Sequence, residues 1–241
     1  MTPLTRAFAV VLVVACLLAP SAAAVGAVDD RVRYRASETG GRSAIDASGY
    51  RNHGKLTGGV TRRDGAYKFH RLSGDNRYDR IRTPSARSLN PRLARFTYGA
   101  RVKVSPNAEW SHTEMAVLRH GDTDTAGGDY KVELLKTGSG AVVAYCAMHD
   151  GDGDGMGYVR GKGALRTIAD GSWHTITCAR VDRNTVSLTI DGNVTRRSTS
   201  GNLGGLVSKD PLLIGFQFRT DGVSGREQFV GLMDDISVSV G

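Results

Sequence analysis

The chain has little cysteine, few long apolar runs and almost no helical periodicity, and each shortage excludes something. It holds three cysteines in 241 residues, at positions 16, 146 and 178. No His/Asn pattern accompanies Cys146 or Cys178, so thiol catalysis has no support. After Leu18 no apolar run is long enough to span a bilayer. No segment shows an amphipathic helix; "SARSLNPRLARF" (Ser85 to Phe96) has room for one short turn. Basic residues outnumber acidic ones, 32 to 24, but they are scattered, with none of the blocks that mark a nucleic-acid-binding tail. No internal repeat or low-complexity segment divides the chain.

What is present begins at the N-terminus. "MTPLTR" is a short positive start. Ala7 to Leu18 is apolar, and small residues follow as far as Ala24. That order describes a secretory signal peptide over residues 1–24. A second reading takes Val13-Val14-Ala15-Cys16 as a lipobox with Cys16 acylated. Against it, the apolar run continues through Ala19, and Ala22-Ala23-Ala24 offers the better cleavage site. Removal of Arg6 with this segment leaves 31 basic against 24 acidic residues, a net of +7. Such a charge favours anionic partners, acidic polysaccharide among them; the plainer alternative is a well-solvated basic surface. Export also sets the fate of the remaining thiols. In an oxidising compartment Cys146 and Cys178 are expected to pair across neighbouring antiparallel strands, for roughly 3 kcal/mol.

The dominant apolar period is two. In "RFTYGARVKV", Phe96, Tyr98, Ala100, Val102 and Val104 alternate with polar or small residues. "DYKVELLK", "AVVAYCAM", "SWHTITCARV", "VSLTI", "LLIGFQF" and "FVGLMDDISVSV" are further strand candidates. Turn signals separate them, at Ser73 to Asn76, Gly138 to Gly140, Asp170-Gly171, Asp182 to Asn184 and Asp191-Gly192. Many short strands at this spacing predict an all-β, two-sheet antiparallel sandwich or jelly roll. A short N-terminal segment (25–30) leads into one domain, 31–241.

Three stretches carry a family resemblance. "IDASGYRNHGKLTGGV" (Ile45 to Val60) resembles the D-x-S-G-x-x-N-x-G-x-L opening of laminin-G-like domains in the concanavalin A-like lectin and glucanase superfamily. "ADGSWHTITCARVDRNTVSLTIDG" (Ala169 to Gly192) is similar to their D-G-x-W-H hairpin, and "FVGLMDDISV" (Phe229 to Val238) to their closing strand. The resemblance implies a jelly roll and no one function, since lectins, hydrolases and adhesion modules share it. It also implies a structural calcium. The ligands carried over are Asp46 and Asp234, with Asn52 adding oxygen. Period two places Asp234 in an apolar row with Leu232 and Ile236, where a carboxylate needs a partner. Amide capping or an arginine pair would meet that need as well.

Four further stretches invite a role. In "HDGDGDGMG" the carboxylates of Asp150, Asp152 and Asp154 alternate as in a calcium loop. The twelfth position is Gly161 where a bidentate glutamate belongs, so no EF-hand forms. A weak second calcium site and a solvated hairpin loop both remain open. Trp110 suits either core packing or a sugar-stacking platform. Trp173 and His174 read as structural. Glu109 and Glu114 have the spacing of a glucanase acid pair, but Ser111 replaces the central aspartate and no complete catalytic constellation emerges. The expectation is a secreted, non-catalytic carbohydrate-binding or adhesion module. The alternatives are a polysaccharide hydrolase or lyase of the same fold, and a structural cell-envelope protein.

Overall fold

The computed structural model describes residues 28–71, 78–110, 112–122, 126–151, 155–161, 167–218 and 226–241. The expected signal segment (1–24) with Cys16, the residues Asp152 and Asp154, and the stretch from Ser73 to Asn76 lie outside them. Two eight-stranded antiparallel sheets enclose one apolar core. Across the first sheet run β14 (Asn193–Ser198), β13 (Thr185–Ile190), β12 (Trp173–Asp182), β7 (Phe96–Lys103), β18 (Gly231–Val240), β5 (Ala66–Phe69) and β4 (Thr61–Arg63), while β1 (Asp29–Tyr34) also pairs with β18. Across the second run β11 (Met156–Arg160), β10 (Val142–Asp150), β9 (Gly128–Lys136), β8 (Glu114–His120), β15 (Leu212–Ile214), β6 (Arg80–Thr83), β3 (Gly54–Thr57) and β2 (Ser43–Ala44). A two-stranded ribbon, β16 (Phe216–Phe218) and β17 (Arg226–Gln228), packs on β8. The one short helix among the described residues is a 3-10 turn, Arg87–Leu89, within the stretch that had room for it.

The alternation read in β7 holds: Phe96, Tyr98, Ala100, Val102 and Val104 are all buried. Facing them from the second sheet are Tyr130, Val132 and Leu134 of β9. The Tyr98 and Tyr130 rings meet at 4.9 Å between centroids. Their hydroxyls, too deep for water, donate to Ala147 O (2.9 Å) and Leu89 O (3.0 Å), which removes the cost of burying them.

Cys146 and Cys178 are joined, with Cα atoms 5.8 Å apart. The expected placement across neighbouring strands is corrected. β10 pairs with β9 and β11, and β12 pairs with β7 and β13. The disulfide therefore staples one sheet to the other through the core. The "HDGDGDGMG" stretch turns β10 into β11 within the second sheet and does not lead directly to β12.

A second correction concerns β18. Its register slips between Asp234 and Ser237, where Asp235 takes a left-handed φ of 49°. This bulge inserts one residue and flips the phase of the strand. Met233 is buried before it, and Ile236, Val238 and Val240 after it. Asp234 is thereby carried out of the apolar row, to a position opposite Arg101.

Candidate functional site

The opening motif folds into a loop knotted by one carboxylate. Asp46 Oδ1 accepts from the amides of Arg33 and Ser48, each at 2.9 Å; its Oδ2 accepts from Ser48 Oγ and the Asn52 amide, each at 2.8 Å. Asn52 donates its side-chain nitrogen to Arg31 O (2.6 Å) and Ser88 Oγ (2.9 Å). Gly54 follows because a Cβ there would lie 2.5 Å from Ile81 Cγ2. These contacts explain the motif's D, S, N and G without a metal. Asp46 is an amide-capping carboxylate, Asn52 points its nitrogen into the loop, and Asp234 lies just before the bulge, opposite Arg101, with its Oδ1 buried and without a hydrogen-bond partner among the described residues. The four donors on Asp46 occupy the carboxylate oxygens that a cation would use.

Asp150, 6% exposed, accepts from the Gly204 amide at 2.8 Å and so ties its turn to the loop before β15. Trp110 is half-buried and packs against the core, as the packing alternative requires. Glu109 is exposed in a loop and ion-paired with Arg71. Glu114 is the first residue of β8. His174 joins the two Asp-Gly turns of the hairpin: Nδ1 lies 2.8 Å from Asp191 Oδ2 and Nε2 lies 3.1 Å from Asp170 Oδ1. Burial opposes its charge, and the two carboxylates outweigh burial, so the imidazole titrates above its ordinary value.

A basic feature lies on the outer face of the first sheet, and no single motif announced it. Residues directly opposite in adjacent strands point to the same side. Across β5, β18, β7 and β12 the register places Lys68, Leu232, Lys103 and Trp173 in one row. All four are half-buried. The Arg101 guanidinium stacks on Trp173, 4.6 Å from the ring centroid. A cavity of about 600 Å³ opens along the row, with Lys68, Leu232 and Lys103 on its wall. Lys68, Lys103, Arg63, Arg71 and His70 border it, and Phe69, Val230 and Leu232 give it apolar surface. Asp64 is the one acidic side chain on its wall. Lys68 and Lys103 are separated only by Leu232, so their charges repel unless an anion lies between them.

The second sheet's outer face is different in kind. There β9 presents Asp129, Lys131 and Glu133, with Asp129 Oδ1 2.7 Å from His149 Nδ1 and Glu133 Oε1 2.7 Å from Lys131 Nζ. Tyr145 and Tyr158 lie beside them, 6.1 Å between ring centroids. The ribbon adds Gln217 and Glu227, which oppose each other in register and are both buried. Burial, then Glu133 and Glu114, pushes the Glu227 carboxyl up to about 8.

Comparison with known proteins places this geometry. The binding domain of Paraclostridial Mosquitocidal Protein 1 matches with a TM-score of 0.64 at 16% identity, over 88% of this chain and 49% of that one. The binding domain of botulinum neurotoxin DC, in complex with rat synaptotagmin II, matches with a TM-score of 0.61 at 11% identity, over 88% and 48%. The botulinum neurotoxin serotype D binding domain gives 0.59 at 12%, over 88% and 47%. At such identities the likeness is one of fold, and the chain spans about half the length of each structure. No curated protein matches the sequence. A family model described as the concanavalin A-like lectin/glucanases superfamily matches residues 74–240, and the chain belongs to that laminin-G-like family.

Proposed function

We propose that this protein is an exported, non-catalytic binding module that holds an anionic glycan on the outer face of its first sheet. The observation that carries the reading is the Lys68–Leu232–Lys103–Trp173 row with its basic, apolar-floored cavity. Carboxylated or sulfated sugars match it in kind. The anionic groups meet Lys68, Lys103 and Arg63, and the apolar face of a ring meets Leu232 or the indole of Trp173. The N-terminal signal-like segment supports export. The fold supports a binding role in a general way, since the structures it resembles are themselves named as binding domains.

The test is a panel of neutral, carboxylated and sulfated polysaccharides, assayed for binding and for release of reducing ends at low and physiological salt. The expected result is saturable binding of acidic members that persists at physiological salt, with no release of ends. Equal binding of neutral members would remove the anion from the account. Binding that vanishes at moderate salt would reduce the site to unspecific charge attraction. Release of ends that disappears in Glu114→Gln would replace a binding module with a hydrolase.

A further inference from the structure

On the second sheet, away from the cavity and independent of the glycan reading, three side chains converge that no motif relates. His112 lies in the loop before β8, Glu114 opens β8, and Glu227 sits in β17 of the ribbon. One donor atom from each lies within 4.8 Å of the others. We infer that His112, Glu114 and Glu227 form a site for a first-row divalent transition cation of the Zn²⁺ class, which pins the ribbon to the sheet.

The donor set argues for this class. One imidazole nitrogen and two carboxylate oxygens suit a borderline ion that accepts mixed ligands in a tetrahedral site. Calcium wants six to eight oxygens, and an imidazole is a poor substitute. Burial argues the same way. Glu227 and its neighbour Glu133 are 1% and 2% exposed. Buried carboxylates are costly without compensating charge. A divalent cation held between Glu114 and Glu227 supplies charge of that kind. Glu114 and Glu227 are hydrogen-bonded to each other. His112 and Glu114 are half-exposed, which gives the ion a way in. Three protein ligands leave a fourth position for water, or for an oxygen of a molecule lying along the face beside Tyr145 and Tyr158.

The test is calorimetric titration of the EDTA-treated protein with Zn²⁺ alone, and separately with Ca²⁺, alongside melting curves. Zn²⁺ is expected to bind at one site per chain and to raise the melting temperature. Calcium is expected to bind at least tenfold more weakly. Glu227→Gln should weaken Zn²⁺ binding at least tenfold. His112→Ala, a change in a half-exposed loop residue that spares the core, should do the same while melting normally without metal. His53→Ala should leave binding unchanged. No saturable Zn²⁺ binding, or binding unaltered in His112→Ala, would overturn the inference, and so would calcium binding as tight as zinc.

Discussion

His174 shows how far one polar residue can be understood. Both its ring nitrogens face carboxylates, so the imidazolium donates twice and holds the ends of the β12–β13 hairpin together. Its pKa is raised in the folded protein. The imidazolium's contribution is therefore full below the unfolded value, near 6.5, and is lost as pH rises through the higher folded value. His174→Gln should cost about 1–2 kcal/mol at pH 5.5, discounted for the partial exposure of Asp170. The deficit should shrink as pH rises to 9. Melting curves of both proteins across that range test this, and a deficit independent of pH would contradict it. The motif around His174 was legible because its two Asp-Gly turns are local. Asp234 was misread because the residue that turns it outward, Asp235, shows its left-handed backbone only once β18 is paired.

Among elements, the long alternating strands were legible and the rest were not, for reasons of packing. β7, β9, β10 and β12 each have one face in the core and a more polar one outside, so period two survives in the sequence. β8 does not alternate. All but its first residue is buried, because the core lies under it and the ribbon over it. "LLIGFQF" reads as one strand and is two. Gly215 interrupts it with a φ of 80°, and a Cβ there would lie 2.2 Å from Phe69 Cε1. The chain leaves β15 at this point and enters the ribbon. Gln228 closes the ribbon's base, donating to Gly215 O at 2.8 Å and accepting from the Asp79 amide at 3.0 Å. Gly215→Ala should destabilise the protein by about 1–3 kcal/mol, from backbone strain and the clash with Phe69. Chemical denaturation would show a lower midpoint, and an unchanged midpoint would refute this role. The inter-sheet disulfide belongs to the same scale. Its removal in Cys146→Ala/Cys178→Ala should cost about 3 kcal/mol, or about 6–12 °C in melting temperature for a domain of this size. A loss within 1–2 °C would show that the staple adds nothing to the packed core.

For the molecule as a whole, charge is what the sequence understated. Its formal net charge of +8 could be read as an evenly solvated surface. Lys68 and Lys103 are 35 positions apart, and nothing local tells that β18 will set them on either side of Leu232. The same long-range pairing brings Trp173 into the row, a residue that reads as packing when seen alone. The direct test of the account is a charge-matched comparison of two double variants on an acidic polysaccharide. Lys68→Ala/Lys103→Ala removes two charges from the first sheet's row; Lys55→Ala/Arg82→Ala removes two from the second sheet, where those residues are paired. At physiological salt the first pair should lose at least tenfold in affinity, and the second should bind within a factor of two of the parent protein. Equal losses from both pairs would show that net charge, and not the Lys68–Leu232–Lys103–Trp173 face, holds the ligand.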